Sequence, residues 1–416
     1  MGGFILPKEH HCMNLQKRRV FTMMWFIPII LLFVFFIGIY EKKRHQKNVD
    51  AIPIRVNING IRGKSTVTRL VTGILKEAGY RTVGKTTGTD ARMIYSHTSE
   101  EKQIIRKPQG PNIGEQKEVV KEAADLNAEA LVSECMAVNP DYQIVFQNEL
   151  IQANIGVIVN VLEDHMDVMG PTLDEIAEAF TATIPYDGHL IVSDSPYTPY
   201  FGHIAKQRNT KMIVADNSKI SEEFLRQFEY MIFPENASLA LAVAEALDID
   251  KETAFRGMLN AQPDPGAMRI LPVLNEQVPS YFVNGFAGND PTSTLNIWKR
   301  INDLGYPADK PIIVMNCRAD RVDRTKQFAK DVLPQMDIGK LVVIGETTSP
   351  IAQAYREGII TADELIDCEH EKMDDVIDKV VADARGKVIY GIGNIHGEAE
   401  PFIRAIESYK ITQRAS

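Results

Sequence analysis

Eight residues carry the strongest chemical signal in the chain: Asn59-Gly60-Ile61-Arg62-Gly63-Lys64-Ser65-Thr66. The two glycines allow backbone N–H groups to curl toward an anion without Cβ interference. A helix starting here would add the favourable end of its dipole. Lys64 is placed to reach the β- and γ-phosphates of a nucleotide, and the Ser65 hydroxyl to bind the Mg²⁺ that accompanies ATP. The usual phosphate-loop pattern is G-x-x-x-x-G-K-[ST]. Ile58 stands where its first glycine would be, which leaves the shorter G-x-x-G-K-S-T. Glu134 follows the apolar run Ala130-Leu131-Val132-Ser133 and reads either as a metal ligand beside such a loop or as a solvated carboxylate. Asn160-Val161-Leu162-Glu163-Asp164-His165-Met166-Asp167 gathers one histidine among three carboxylates, the composition of a metal site or of a surface loop. Cys135 has no evident base and reads as an ordinary buried thiol.

A second chemical region lies nearer the C-terminus. Arg318, Arg321, Arg324 and Lys326 cluster, and Arg321 and Arg324 would share a face if helical. Guanidinium forks suit carboxylates; the other reading is a solvated face paired with Asp320 and Asp323. Gly391-Ile392-Gly393-Asn394-Ile395-His396-Gly397 nearly spells a dinucleotide fingerprint, but its third glycine is displaced and too little chain follows for a βαβ unit. A substrate loop that includes His396, or a turn, fits better. Gly110 to Gln116, with Asn112 and Glu115, reads as an active-site loop or a surface loop.

These residues need elements to hold them. Ile52, Ile54, Val56 and Ile58 alternate as in a strand, and Val67, Leu70, Val71, Ile74 and Leu75 have helical spacing up to Gly79. From Ala51 the chain alternates strand and helix. Strands are expected at 52–58, 130–133, 155–160, 189–193, 212–215, 281–283, 312–315, 341–344 and 388–390, with helices such as 173–183 and 237–246 between them. This pattern predicts an α/β fold with mostly parallel sheets covered on both faces. Gln262-Pro263-Asp264-Pro265-Gly266 is a rigid, turn-rich joint, so 51–262 forms a larger central domain and 263–416 a smaller one with a Rossmann-like pattern. At 416 residues the chain is too long for one ordinary core.

Residues 1–19 form a polar, basic tail, with Met23 and Met24 as alternative starts. Residues 20–40 hold no charge and 14 Val, Ile, Leu and Phe residues, which predicts one transmembrane helix. Pro28 does not prevent insertion. Residues 41–50 are a charged linker. Basic residues flank the apolar stretch on both sides, so charge nearly balances. The ATP loop decides orientation instead and places everything after 41 in the cytoplasm, on the cell membrane. A net charge of −9 argues against a general nucleic-acid binder, and four cysteines without paired spacing fit a reducing compartment.

Together, Gly60–Thr66, Glu134 and Asp164-His165-x-Asp167 resemble the ATP-dependent Mur ligase superfamily, which includes folylpoly-γ-glutamate synthetase and uses the short G-x-x-G-K-[ST] loop. Asn57–Thr66, Lys85-Thr86-Thr87-Gly88-Thr89-Asp90-Ala91, Gly110–Gln116 and Ser133–Ala137 are most similar to the catalytic subunits of bacterial poly-γ-glutamate synthases. That resemblance implies ATP and Mg²⁺, with Gly60, Arg62, Gly63, Lys64, Ser65 and Thr66 around the phosphates and Lys64 on the β/γ-phosphates. It implies one Mg²⁺ on Ser65 and Glu134 and a second on His165. It implies Asn236 near the adenine, Arg269 meeting phosphate, Asn289 and Asp290 on the ribose side, and Asp320-Arg321, in a loop of the last domain, as further nucleotide contacts. Glutamate and a growing poly-γ-glutamate chain are the implied substrates, joined through an acyl phosphate. Other membrane subunits of a synthase and export complex are implied partners, and self-association stays open. Two departures stand out. Glu178-Ala179-Phe180-Thr181 has no lysine where many Mur ligases carry a carbamylated one, and the uridine-nucleotide domain is replaced by the apolar segment. A folylpolyglutamate-type ligase, a membrane-anchored P-loop NTPase driving transport and a non-enzymatic scaffold are the rival readings.

Overall fold

The structure is a computed structural model that describes residues 9–87, 91–105, 112–164, 166–264, 267–275, 277–288 and 290–411, with the side chains of 9–25, 27 and 167 outside the description. The chain forms two units. One comprises residues up to Asp216 together with Ser238–Gln262, the other Asn217–Ala237 together with the residues from Pro263 onward. Residues 217–237, placed in the central domain by the sequence pattern, thus cluster with the C-terminal unit.

The first unit is built on an eight-stranded sheet. Its strands are β1 (Ile54–Asn59), β2 (Thr82–Lys85), β3 (Arg92–Tyr95), β4 (Lys102–Gln103), β5 (Ala130–Glu134), β6 (Ile155–Ile158), β7 (His189–Ser193) and β8 (Lys211–Ala215), in the order β4-β3-β2-β5-β1-β6-β7-β8. β3 and β4 are antiparallel to their neighbours; the other pairings are parallel. The central strands read as unbroken apolar runs because helices cover both of their faces. Register puts Glu134 of β5 level with Ile58 of β1, so the last residue of one strand lies beside the start of the loop that leaves the other.

The chain enters this unit through helix α1 (Glu9–Asp50). Its last turns are seated by Val49, which is fully buried, and by bonds from Lys42 Nζ to Glu149 (3.1 Å) and between His45 Nε2 and the Leu150 carbonyl (2.9 Å). Among the described residues no helix is long and apolar enough to cross a membrane. The transmembrane helix expected over 20–40 is therefore not supported. The side chains described in that stretch are Phe26 and residues 28–40, all of them exposed. The remainder of that stretch and most of the basic tail lie outside the described side chains.

Helix α2 (Lys64–Glu77) follows β1 directly and buries Val67, Leu70, Val71, Ile74 and Leu75. Burying five such side chains is worth roughly 8–15 kcal/mol before entropy is counted. The helix Lys251–Leu259 crosses α2 closely; a Cβ on Gly73 would meet the Gly257 carbonyl oxygen at 2.3 Å. Helix α3 (Glu115–Asp125) packs Val119, Val120 and Ala123 into a cluster with Val83 and Leu131.

The second unit has six strands: β9 (Ile270–Val273), β10 (Ser280–Asn284), β11 (Ile312–Cys317), β12 (Ile338–Gly345), β13 (Ala362–Glu369) and β14 (Val388–Gly393), in the order β13-β12-β11-β14-β10-β9 with only β9 antiparallel. Alternate residues feed two cores. Val283, Ile313, Met315 and Tyr390 belong to one, Phe282, Ile312, Val314 and Ile389 to the other. Segment 217–237 is tied in by Arg300 Nη1, 2.7 Å from both carboxylate oxygens of Glu222, and by the Met231 N–H on the Met268 carbonyl at 2.7 Å.

Candidate active site

β1, β5 and β6 are adjacent and parallel, and the order reverses at β1, where a doubly wound sheet opens a crevice at the carboxyl ends of its strands. The loop after β1 turns on two glycines in left-handed conformations, Gly60 at φ 126° and Gly63 at φ 87°. At Gly60 the constraint is also steric, because a Cβ would stand 3.0 Å from the backbone nitrogens of Val159 and Asn160. Lys64 opens α2 and folds back over the loop, its Nζ donating to the carbonyls of Gly60 (2.8 Å) and Ile61 (3.1 Å). The ammonium is thereby held above the ring of backbone groups a phosphate would meet. Thr66 follows in the first turn of the helix.

Glu134, almost fully buried, accepts from Ser65 Oγ at 2.9 Å, from the Thr87 N–H at 2.8 Å and from the Thr87 hydroxyl. A hydroxyl and a carboxylate meeting at one point beside a phosphate loop are the hard oxygen ligands a divalent cation prefers, so this pair fits such an ion. Cys135, next along, is buried, and burial pushes its thiol up to about 11 despite the nearby Lys64 and Lys85 ammonium groups. This is the opposite of nucleophile activation.

From β6 the decisive residue is Asn160. Its Oδ1 accepts from the N–H groups of Ile61 (3.1 Å) and Arg62 (3.0 Å), and its Nδ2 donates to the Arg62 carbonyl (2.9 Å). One side chain thus holds the loop at three points. Arg62 pairs with Asp164 at 3.3 Å. His165 and the Asp167 side chain lie outside the described residues, and among those described no group of three or more His, Cys, Asp or Glu residues forms a metal cluster.

Beneath the loop runs a buried amide ladder. Asn59 Nδ2 donates to Gln143 (2.8 Å) and Thr183 (2.7 Å), and Asn57 Nδ2 donates to Gln147 (3.0 Å). At the end of β2 the fully buried Lys85 lies 3.2 Å from Glu115 of α3. The types and spacing of Asn160, Thr87, Lys85 and the ladder residues carry no sequence signal of these roles, because the groups they bond belong to distant parts of the chain. Asn112 is exposed and turns the chain into α3 by accepting from the Gly114 N–H at 2.8 Å.

In the second unit the crest of β11 and β14 carries the arginine cluster. Arg318 forms a fork with Asp320 at 2.9 and 2.8 Å. Arg321 is exposed and precedes the helix Val322–Asp331, while Arg324 lies in its first turn, so the two do not share one helical face. Arg324 is half-buried and donates to Asn394 Oδ1 at 2.5 Å. Burial, then the charges of Arg321 and Arg318, press its guanidinium below the ordinary value. Asp290 accepts from the Ser293 N–H at 2.8 Å and so caps the helix Pro291–Asp303. His396 is exposed, 2.7 Å from Glu400. Asn236, in the first turn of the helix Pro234–Ala246, is buried, and Arg269, just before β9, is exposed. Asn289 lies outside the described residues.

Residues 58–262 match the family described as Mur ligase middle domain, and residues 270–409 match the poly-gamma-glutamate synthase CapB C-terminal domain. The chain is 68% identical over 393 residues to the PGA synthase CapB of Bacillus subtilis (strain 168), covering 94% of this chain and 100% of that one. It is 61% identical over 399 residues to the capsule biosynthesis protein CapB of Bacillus anthracis, covering 96% and 86%. Among solved structures, MurF from Acinetobacter baumannii superposes with a TM-score of 0.61 at 16% identity, covering 88% of this chain and 79% of that one. E. coli FolC in complex with DHPP and ADP gives 0.58 at 13% identity, covering 88% and 92%. These two likenesses concern the fold.

Proposed function

The chain belongs to the CapB family of poly-γ-glutamate synthases, ATP-dependent amide ligases with a Mur-ligase middle domain, and on that premise we propose which of its residues do which part of the work. Amide formation from a carboxylate needs activation in water. A γ-carboxylate oxygen of glutamate or of the polymer end attacks the γ-phosphorus of ATP. The bond from that phosphorus to the bridging oxygen breaks, and ADP leaves with the electron pair. The free amine of another glutamate then attacks the acyl carbon. Phosphate departs, and the amine's proton passes to solvent.

The observation that carries this assignment is the convergence of Lys64, Ser65 and Glu134 at a loop pinned by Asn160. Lys64 neutralises charge on the transferring phosphoryl group. Ser65 and Glu134 would hold Mg²⁺, which supplies further charge neutralisation when bound. In the second unit, Arg321 and Arg324 supply the guanidinium groups suited to glutamate carboxylates, while the fork of Arg318 is taken up by Asp320. Asn236, Arg269, Asp290 and Asp320 retain the nucleotide roles that the family resemblance gives them. His165 and Asn289 are assigned to a second metal ion and to the ribose side on that resemblance alone.

We propose also that α1 anchors the chain in the cell membrane with both units on the cytoplasmic side, where ATP is. Support comes from the apolar side chains of Phe26, Leu31, Phe33 and Phe36, each more than half exposed, which a lipid environment would cover. A single helix cannot carry a polyanion out of the cell, so further membrane subunits are part of this reading, and self-association is compatible with it.

The test is ADP release and acid-stable polymer in membranes given Mg-ATP with labelled glutamate, with folate, or with neither. Glutamate-dependent ADP and polymer are expected, both lost in Lys64→Ala. Normal polymer from Lys64→Ala refutes the loop assignment. ADP formed equally without an amino acid favours a transport ATPase.

A further inference from the structure

At the crest of the second unit, Arg318 and Arg324 are restrained in opposite ways. Arg318 is held by the Asp320 carboxylate, which cancels its charge as it orients it. Arg324 is held by an amide oxygen, Asn394 Oδ1, which orients the guanidinium without neutralising it, while the Asp290 and Asp320 carboxylates also act on its charge. Asn394 is itself immobilised. It is buried, its N–H and Nδ2 both point to the Asn316 carbonyl (3.3 and 3.2 Å), and Asn316 Nδ2 returns to the carbonyls of Asn394 (2.6 Å) and His396 (2.9 Å). This reciprocal clasp bridges β11 and β14, and it needs Gly393. That glycine sits at φ 100°, where a Cβ would stand 2.5 Å from the Asn316 carbonyl oxygen. The glycine-rich run Gly391–Gly397 therefore serves close approach of two strand ends and needs no dinucleotide to explain it.

We infer that Asn394, locked by Asn316, is a positioning residue that aims Arg324 at a glutamate carboxylate and thereby sets the enzyme's affinity for glutamate. A neutral partner suits this task. An acidic one in the same place would compete with the incoming carboxylate, and no partner would leave a long side chain to be ordered at each binding event. Half-burial strengthens the interaction further, because the guanidinium is already partly stripped of water. The inference rests on the reading of this arginine cluster as a glutamate site.

The test is a double-mutant cycle on the full chain in membranes, reading KM for glutamate, KM for ATP and kcat, with melting temperature as a control. Asn394→Ala is expected to raise KM for glutamate about tenfold while KM for ATP and kcat stay within about twofold. In an Arg324→Ala background the same change is expected to add almost nothing. Should Asn394→Ala not fold, Asn394→Ser carries the same expectation, since its hydroxyl falls one atom short of the guanidinium. Equal increases in both KM values, or effects that add in the double variant, overturn the inference and leave the ligase reading standing. An unchanged glutamate KM in Arg324→Ala overturns both the inference and the assignment of the arginine cluster. Absence of glutamate-dependent ADP in the unmodified enzyme overturns the ligase reading itself, and the inference with it.

Discussion

Changing Asn160 to alanine removes three hydrogen bonds at once: two accepted from the N–H groups of Ile61 and Arg62 and one donated to the Arg62 carbonyl. A typical bond contributes about 0.5–1.5 kcal/mol net, so three set a range of roughly 1.5–4.5 kcal/mol. Arg62 is exposed and Asn160 only half-buried, so water replaces part of the loss and the low end, about 1.5–2 kcal/mol, applies. Most of that energy keeps the loop in its phosphate-ready shape. KM for ATP should therefore rise roughly 10- to 30-fold, at about 1.4 kcal/mol per tenfold. The melting temperature should fall by about 3–8 °C, from some 2–4 °C per kcal/mol for a domain of this size. Asn160→Asp keeps both acceptor contacts but turns the donor that faces the Arg62 carbonyl into a second acceptor and sets a carboxylate beside the phosphates, so it should lose part of the stability and weaken ATP at least as much. Steady-state kinetics and differential scanning fluorimetry read both quantities. If Asn160→Ala keeps its ATP KM and melts within about a degree of the parent, the pinning argument is wrong.

Two further outcomes follow from the same unit. Cys135, with its thiol pushed up to about 11, should resist maleimide at pH 7–8, and Cys135→Ala should keep its activity; inactivation by maleimide that ATP prevents would contradict the burial argument. Lys85→Met leaves Glu115 facing a buried site without its ammonium partner and should cost about 3–5 kcal/mol by chemical denaturation, whereas Lys85→Met with Glu115→Leu should recover most of that loss. A single variant as stable as the parent would show that the pair contributes little.

The sheets were readable where the chain obeys simple rules. β7 matches its apolar run residue for residue, and β1, β5, β8 and β11 differ only at their ends. β3 and β4 are too short to show a period, and β13 sets the acidic pair Asp363-Glu364 beside the apolar pair Leu365-Ile366, which breaks the two-residue period and hides this edge strand among loops. The phosphate loop was legible because its glycines, lysine and serine are contiguous, and Glu134 because it ends an apolar run. Asn160 and Asn394 were not, since their roles depend on backbone groups about a hundred and about eighty residues away. The expected common face of Arg321 and Arg324 failed because the helix starts one residue after Arg321.

Residues 217–237 interrupt one folding unit in sequence while completing the other in space. A gene severed at the proline-rich joint near codon 262 would therefore not yield two self-sufficient products. The first would carry an orphan passenger whose Glu222 had lost Arg300, and the second would show a bare patch where Met231 belongs. Partial digestion and fragment complementation on this enzyme should respect three chain crossings instead of one, and a protease that nicks the joint should leave fragments that stay associated until denatured.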